Sequence, residues 1–168
     1  MTKFTCPECG KTHDELPAFA FEGPTFWYDA TPEERERDFE IGPDLCRYKG
    51  EEHHLIRGLL RIPVVGEPEN PLSFVVWAAV SKDNFWRYRT TFMDFNADSV
   101  GVFYGYLANA IPGYDSTVNL KVAIEPQGQA QRPLFHVIEA PDNALQQDQQ
   151  EGMSADNAMK YLHRQGGF

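Results

Sequence analysis

Apolar and polar residues alternate with a period of two over Asn119–Glu125, which places Leu120, Val122 and Ile124 on one face of a predicted strand. Pro133–Glu139 reads as its hairpin partner across the loop Gln127-Gly128-Gln129-Ala130-Gln131, with Leu134, His136 and Ile138 facing inward. Leu72–Val80 is apolar on both faces, as a central strand covered twice should be. His53–Val65 reads as a longer strand, Asp44–Lys49 as a shorter one, and Gly66–Pro71 as a hairpin loop. Val102–Ile111 fits a strand or a short helix stopped by Pro112-Gly113, after a polar interruption at Asp94–Gly101.

Helices announce themselves by their caps. Thr31-Pro32-Glu33-Glu34 supplies an N-cap hydroxyl, a proline at the first helical position and a reciprocal capping acid. Gly42-Pro43 stops that helix early. Ser81 caps a second helix running to about Phe95, whose aromatic residues do not all share one face. Pro141-Asp142-Asn143 starts a third, and Ser154 a fourth in which Ala158, Met159 and Leu162 recur at helical spacing. Between the start of the chain and the first cap, Pro17–Ala30 is loop-like yet holds Phe19, Phe21, Phe26, Trp27 and Tyr28. So much ring surface must lie against a core.

The first eight residues from Cys6 change the picture. Cys6-Pro7-Glu8-Cys9-Gly10 is the spacing of a zinc knuckle, in which two thiolates grip one ion and backbone amides point at the sulfurs. His13 follows closely, and Cys46 lies about forty residues on, where a crossing strand can bring it back. The expected ligands are Cys6, Cys9, His13 and Cys46, with His53 and His54 competing for the fourth place. Four filled positions make a structural ion, whereas three leave room for a water that the metal could activate. A redox dithiol is the other reading of the cysteine pair, but that motif opens a helix behind a strand, and Gly10 with the polar residues after it favours a knuckle.

With strands running first and helices gathered later, the expected fold is α+β: a mostly antiparallel sheet with an N-terminal zinc knuckle and C-terminal helices. A chain of 168 residues suits one domain, 1–168, with residues 1–50 as a metal-clipped subregion. Aromatic residues make up 13% of it, so a few large rings can fill the core. The net charge of −10 disfavours contact with phosphate backbones, despite the finger-like opening. No apolar run reaches the roughly 20 residues that span a bilayer, and the start lacks the apolar core of a signal peptide. With three cysteines placed for metal rather than for a disulfide framework, these features lead us to expect a cytoplasmic protein, monomeric or homodimeric.

Several further stretches carry a recognisable order: the knuckle and its spacing to Asp44-Leu45-Cys46, Ile56-Arg57-Gly58, Pro112-Gly113-Tyr114, Arg132-Pro133, and Asp148-Gln149 followed by Gly152. In these the chain resembles, over nearly its whole length, an uncharacterised bacterial family, domain of unknown function 2199. The resemblance implies a small bacterial cytoplasmic protein with a metal knuckle, and no reaction.

No phosphate loop, nucleophile elbow or paired-histidine metalloprotease helix is present. An acidic surface and the lack of a catalytic motif lead us to expect a protein that acts by binding a basic protein partner, as an immunity or antitoxin-like protein does. The alternative is a small-molecule enzyme whose groove is lined by Trp77, Trp86, Tyr104, Tyr106 and Tyr114, with His136, Arg57 or Asp94 doing the chemistry. Arg57 and Arg61 share one strand face and could hold an anion, although pairing with local carboxylates or packing of their stems is the commoner explanation of such a row.

Overall fold

The computed structural model describes residues 4–13, 16–49, 52–92 and 101–165. Two short strands, β1 (Phe4–Thr5) and β2 (Thr12–His13), form an N-terminal ribbon. Strand β3 (Phe19–Ala20), helix α1 (Thr25–Asp29), helix α2 (Pro32–Asp38) and strand β4 (Phe39–Ile41) follow. Next come β5 (Leu45–Tyr48), the long strands β6 (His53–Val64) and β7 (Glu67–Val80), and α3 (Lys82–Thr91). The remainder is β8 (Phe103–Leu107), β9 (Lys121–Glu125), β10 (Leu134–Val137), α4 (Ala144–Glu151) and α5 (Ala155–Arg164).

The fold is α+β, and its sheet closes on itself. Strands β6 and β7 pair antiparallel from His54↔Val80 to Ile62↔Leu72. Antiparallel pairing continues through β8, β9 and β10, and β10 returns parallel to β6 at Leu134↔Leu59 and Phe135↔Leu60. Five strands thus make a barrel, which removes the exposed edges an open sheet would carry. Each long strand also serves an extension with its outer edge. On β7, Phe74–Val75 takes β3 while Ala78–Ala79 takes β8. On β6, the first residues take β5, and β5 in turn takes β4.

Even-numbered residues of β6 point into the barrel: Ile56, Leu60 and Ile62 are fully buried among Phe74, Val76, Val122, Ile124 and Phe135. Gly58 occupies this inward row because a Cβ there would lie 2.4 Å from the Phe135 ring. Odd residues face outward, where a second cluster of Phe39, Cys46, Leu55, Trp77 and Ala108 is roofed by Phe21, Phe26 and Trp27. Of the aromatic stretch between Pro17 and Ala30, Phe26 and Trp27 therefore lie against the core outside the barrel wall, Phe19 packs on the main cluster, Phe21 touches both, and Tyr28 is exposed. The stretch is pinned by polar bonds: the Phe21 carbonyl accepts from Trp77 Nε1 at 2.9 Å, and Asn109 Nδ2 donates to the Gly23 carbonyl at 2.9 Å.

Local signals were followed closely. Thr31 and Glu34 make a full capping box, and Ser81, Asn143 and Ser154 cap their helices through their side-chain oxygens. Ala158, Met159 and Leu162 are the buried face of α5. The expected end of α3 near Phe95 lies outside the described residues.

Three expectations need correction. Gly66–Pro71 is not a loop, because β7 begins at Glu67 and a bulge between Ile62 and Val64 absorbs the mismatch around Pro63. A further strand, β4, stands where the first helix was expected simply to stop. His136 faces out, since Phe135 and Val137 are the buried residues of β10. Both phases of that strand are apolar, and the notch at Gly58 selects the one that turns Phe135 inward.

Candidate metal centre and acidic cleft

The N-terminal ribbon is built to present sulfur. Phe4 and Cys6 are buried and anchor it, while Pro7, Glu8 and Cys9 make the turn. The Gly10 amide donates to the Cys6 carbonyl and the Cys6 amide to the Lys11 carbonyl, both at 2.8 Å. Gly10 has φ +76°, a left-handed conformation suited to glycine, which explains its place after the second cysteine. Burial pushes the Cys6 thiol up, but hydrogen bonds from the Cys9 and Glu8 amides and from the Cys9 thiol outweigh it. Cys6 consequently sits below its ordinary value.

Helix α5 brings the third group. Leu162 and Met159 bury its inner face in the same core cluster as Phe4 and Cys6, so its last turn meets the ribbon. Arg164 donates to Glu8 at 3.0 Å, and His163 Nε2 lies 3.7 Å from the other Glu8 oxygen. The ligand atoms of Cys6, Cys9 and His163 all fall within 4.8 Å of one another, and this group could hold a metal ion. Around a tetrahedral zinc ion two sulfurs sit roughly 3.8 Å apart, so the cluster needs to contract by only about 1 Å. The negative end of the α5 dipole also favours a cation at this point.

Of the residues expected from the sequence, Cys6 and Cys9 come together here. His13 pairs by its backbone with Phe4, and its side chain lies outside the described residues. Cys46, His53 and His54 are not in the group. Cys46 is fully buried against Leu55 and Trp77, and burial pushes its thiol up to about 12. His54 is buried edge-on against Phe85, and burial holds it below its ordinary value. His53 stacks near Tyr48. His163 was absent from the sequence expectations: it follows Cys9 by more than 150 residues, and its only local cue is its place beside the buried Leu162.

The state of Cys46 gives a direct check. Iodoacetamide at pH 8, with chelator present, is expected to label exposed Cys9 and leave Cys46 unmodified until denaturant is added, as read by peptide mass spectrometry. Labelling of Cys46 at the rate of Cys9 would show that β5 does not hold it.

Of the residues considered for catalysis, His136 and Arg57 are each engaged elsewhere. His136 is exposed and pairs with Glu125 at 2.9 Å. The Arg57 guanidinium donates to the carbonyls of Phe21 and Pro43, at 2.6 and 3.1 Å, and lies 5.4 Å over Trp77. Asp94 lies outside the described residues. Trp77 is fully buried, Tyr104 and Tyr106 face solvent, and Tyr114 donates to Asp148 at 2.5 Å. Trp86 lines a groove beside α3 and Tyr114 a separate one beside α5.

A different surface does combine rings with charge. Phe26, Phe39 and Tyr48 pack together with centroids 4.8 to 5.5 Å apart and floor a cleft of about 380 Å³. Asp29, Glu34 and Asp38 stand around it. Glu34 accepts from the Thr31 amide as part of the capping box. Asp38 is held below its ordinary value chiefly by hydrogen bonds from Arg37, at 2.8 and 2.9 Å. With Asp38 paired to Arg37, Asp29 and Glu34 carry the remaining negative charge of the cleft lining.

Among the described residues no helix is long and apolar enough to cross a membrane. Neither the curated proteins nor the solved structures contain a match to this chain. The family profile described as uncharacterized protein conserved in bacteria matches residues 5–153, which includes Cys6 and Cys9, and the chain belongs to that family, domain of unknown function 2199.

Proposed function

We propose that this is a binding protein whose N-terminal ribbon and C-terminal helix are clipped together by a structural zinc ion, and that it recognises a basic protein partner. The observation that carries the metal is the convergence of Cys6, Cys9 and His163, with amides already directed at the Cys6 sulfur. Two thiolates and an imidazole are a zinc donor set. We assign the fourth position to His13, in the ribbon strand β2 opposite Phe4. Bound there, zinc supplies a crosslink between segments that are distant in sequence. The chain's own residues do the rest: Phe4 and Leu162 seat the two segments, and Glu8 ties Arg164 to the turn.

Support for the partner comes from charge. The chain carries −10 overall, and the cleft beside α2 offers carboxylates above an aromatic floor. A lysine or arginine side chain fits such a place, its stem on the rings and its head among the acids. The concrete form of this function is an immunity or antitoxin-like protein that covers the basic cleft of a toxin.

Crosslinked capture from the producing bacterium, followed by binding assays with the purified partner, tests it. A basic partner is expected, bound less tightly at higher salt and roughly tenfold more weakly by the Asp29→Asn, Glu34→Gln double variant. Glutamine preserves the capping box, so that variant should fold. Recovery of no basic partner, together with unchanged survival of toxin-challenged cells, would overturn the partner half.

A further inference from the structure

Between α3 and the β4–β5 hairpin runs a groove of about 540 Å³, the size that takes a small organic molecule. Its walls are apolar: Phe85, Trp86 and Phe92 from the helix side, Ile41, Pro43 and Leu45 from the hairpin. Four charged residues border it, Glu40, Asp44, Arg47 and Arg89, and three of them are already paired. Arg47 is paired with Glu40 at 3.1 Å, and Asp44 with Arg132 at 3.0 Å. Arg89 has no carboxylate partner among the described residues. Its guanidinium lies 5.3 Å over the Trp86 ring, as does that of Arg47, and among the described residues the Arg89 guanidinium makes no hydrogen bond.

An unmatched arginine at the rim of an apolar groove selects both halves of a ligand. The walls take hydrocarbon or ring, and the planar fork of Arg89 matches a carboxylate through two parallel hydrogen bonds. A neutral apolar molecule would leave Arg89 unmatched, and a small hydrophilic anion would leave the walls wet. In a chain of net charge −10 the wider field repels anions, so binding must come from this local pair of features. We propose that the groove binds a small apolar carboxylic acid, with the carboxylate on Arg89 and the apolar body along Trp86 and Leu45. The groove shares no lining residue with the acidic cleft or with the Cys6, Cys9 and His163 group.

Isothermal titration with octanoate and with 3-phenylpropionate tests the assignment, with octanol as the neutral counterpart. At least one acid is expected to bind one to one, about tenfold more tightly than octanol, and to perturb Trp86 fluorescence in a way lost with Trp86→Phe. Arg89→Gln should weaken the acid about tenfold and leave octanol unchanged, whereas Arg89→Lys should recover part of the loss. Arg89 is exposed on α3, so unchanged circular dichroism will show that these variants fold. Equal affinity for acid and alcohol, undiminished acid binding in Arg89→Gln, or no binding of either acid at millimolar concentration would each overturn the proposal.

Discussion

Cys6→Ser is expected to abolish zinc binding and lower Tm by roughly 8–16 °C relative to the zinc-loaded protein. A ligand held at a thousand times its Kd stabilises the folded state by about 4 kcal/mol. In a chain of this length each kcal/mol moves Tm by roughly 2–4 °C. Cys6 is the sensitive position because it is both the buried anchor of the ribbon and the sulfur at which the turn amides converge. Chelation of the wild type should reproduce most of the drop, and chelator should do nothing further to Cys6→Ser. Metal analysis of protein prepared under reducing conditions is expected to give one zinc per chain. His163→Ala should weaken zinc retention, and Cys46→Ser should preserve it. The reverse pattern, zinc lost with Cys46→Ser and kept with His163→Ala, would restore the ligand set expected from sequence and sink the one built on α5. A Tm indifferent to chelator would remove the clip altogether.

Features written within one turn of chain were legible, because their physics is local. Thr31 and Glu34 satisfy each other's backbone donors whatever else the protein does, and Ser81 and Ser154 act in the same way. The Cys6–Cys9 turn belongs to this class. Barrel closure does not, since it depends on β10 finding β6, strands about 75 residues apart in sequence, in parallel register. Nothing near Leu134 states that pairing. Its physical basis is a shape match, the ring of Phe135 against the missing side chain of Gly58, visible only once the strands are adjacent. The same match decided the phase of β10 and moved His136 to the surface. His163 was hidden for a related reason: a docked helix brings it to the knuckle from more than 150 residues away, with no local signal of that approach.

The barrel also explains why an acidic cleft can exist on this protein at all. Helices α1 and α2 are short and contribute no fully buried residue of their own. What holds them is the outward face of β6 and β7, where Leu55 and Trp77 meet Phe39 and the roof of Phe21, Phe26 and Trp27. Asp29 and Glu34 are therefore positioned by contacts made one layer beneath them. Stability of the outer cluster and geometry of the cleft are one property.

Trp77→Ala is accordingly expected to cost about 3–5 kcal/mol, lowering Tm by roughly 6–20 °C. Trp77 is fully buried, and three contacts converge on it: its Nε1 donates to the Phe21 carbonyl, its amide donates to Asn109 Oδ1 at 2.8 Å, and the Arg57 guanidinium lies over its ring. Alanine keeps the amide bond and loses the rest, leaving a cavity between barrel wall and roof. Trp77→Phe should cost only about 1–2 kcal/mol, because a ring remains and the Phe21 carbonyl still accepts from Arg57 at 2.6 Å. Hydrogen exchange separates the layers. In Trp77→Ala, amides of residues 19–41 should lose protection while β8, β9 and β10 retain theirs, since Val122, Ile124 and Phe135 pack in the other cluster. A loss spread evenly over both layers, or a phenylalanine variant as unstable as the alanine one, would show that Trp77 supports the barrel itself and that the roof is not a separable unit.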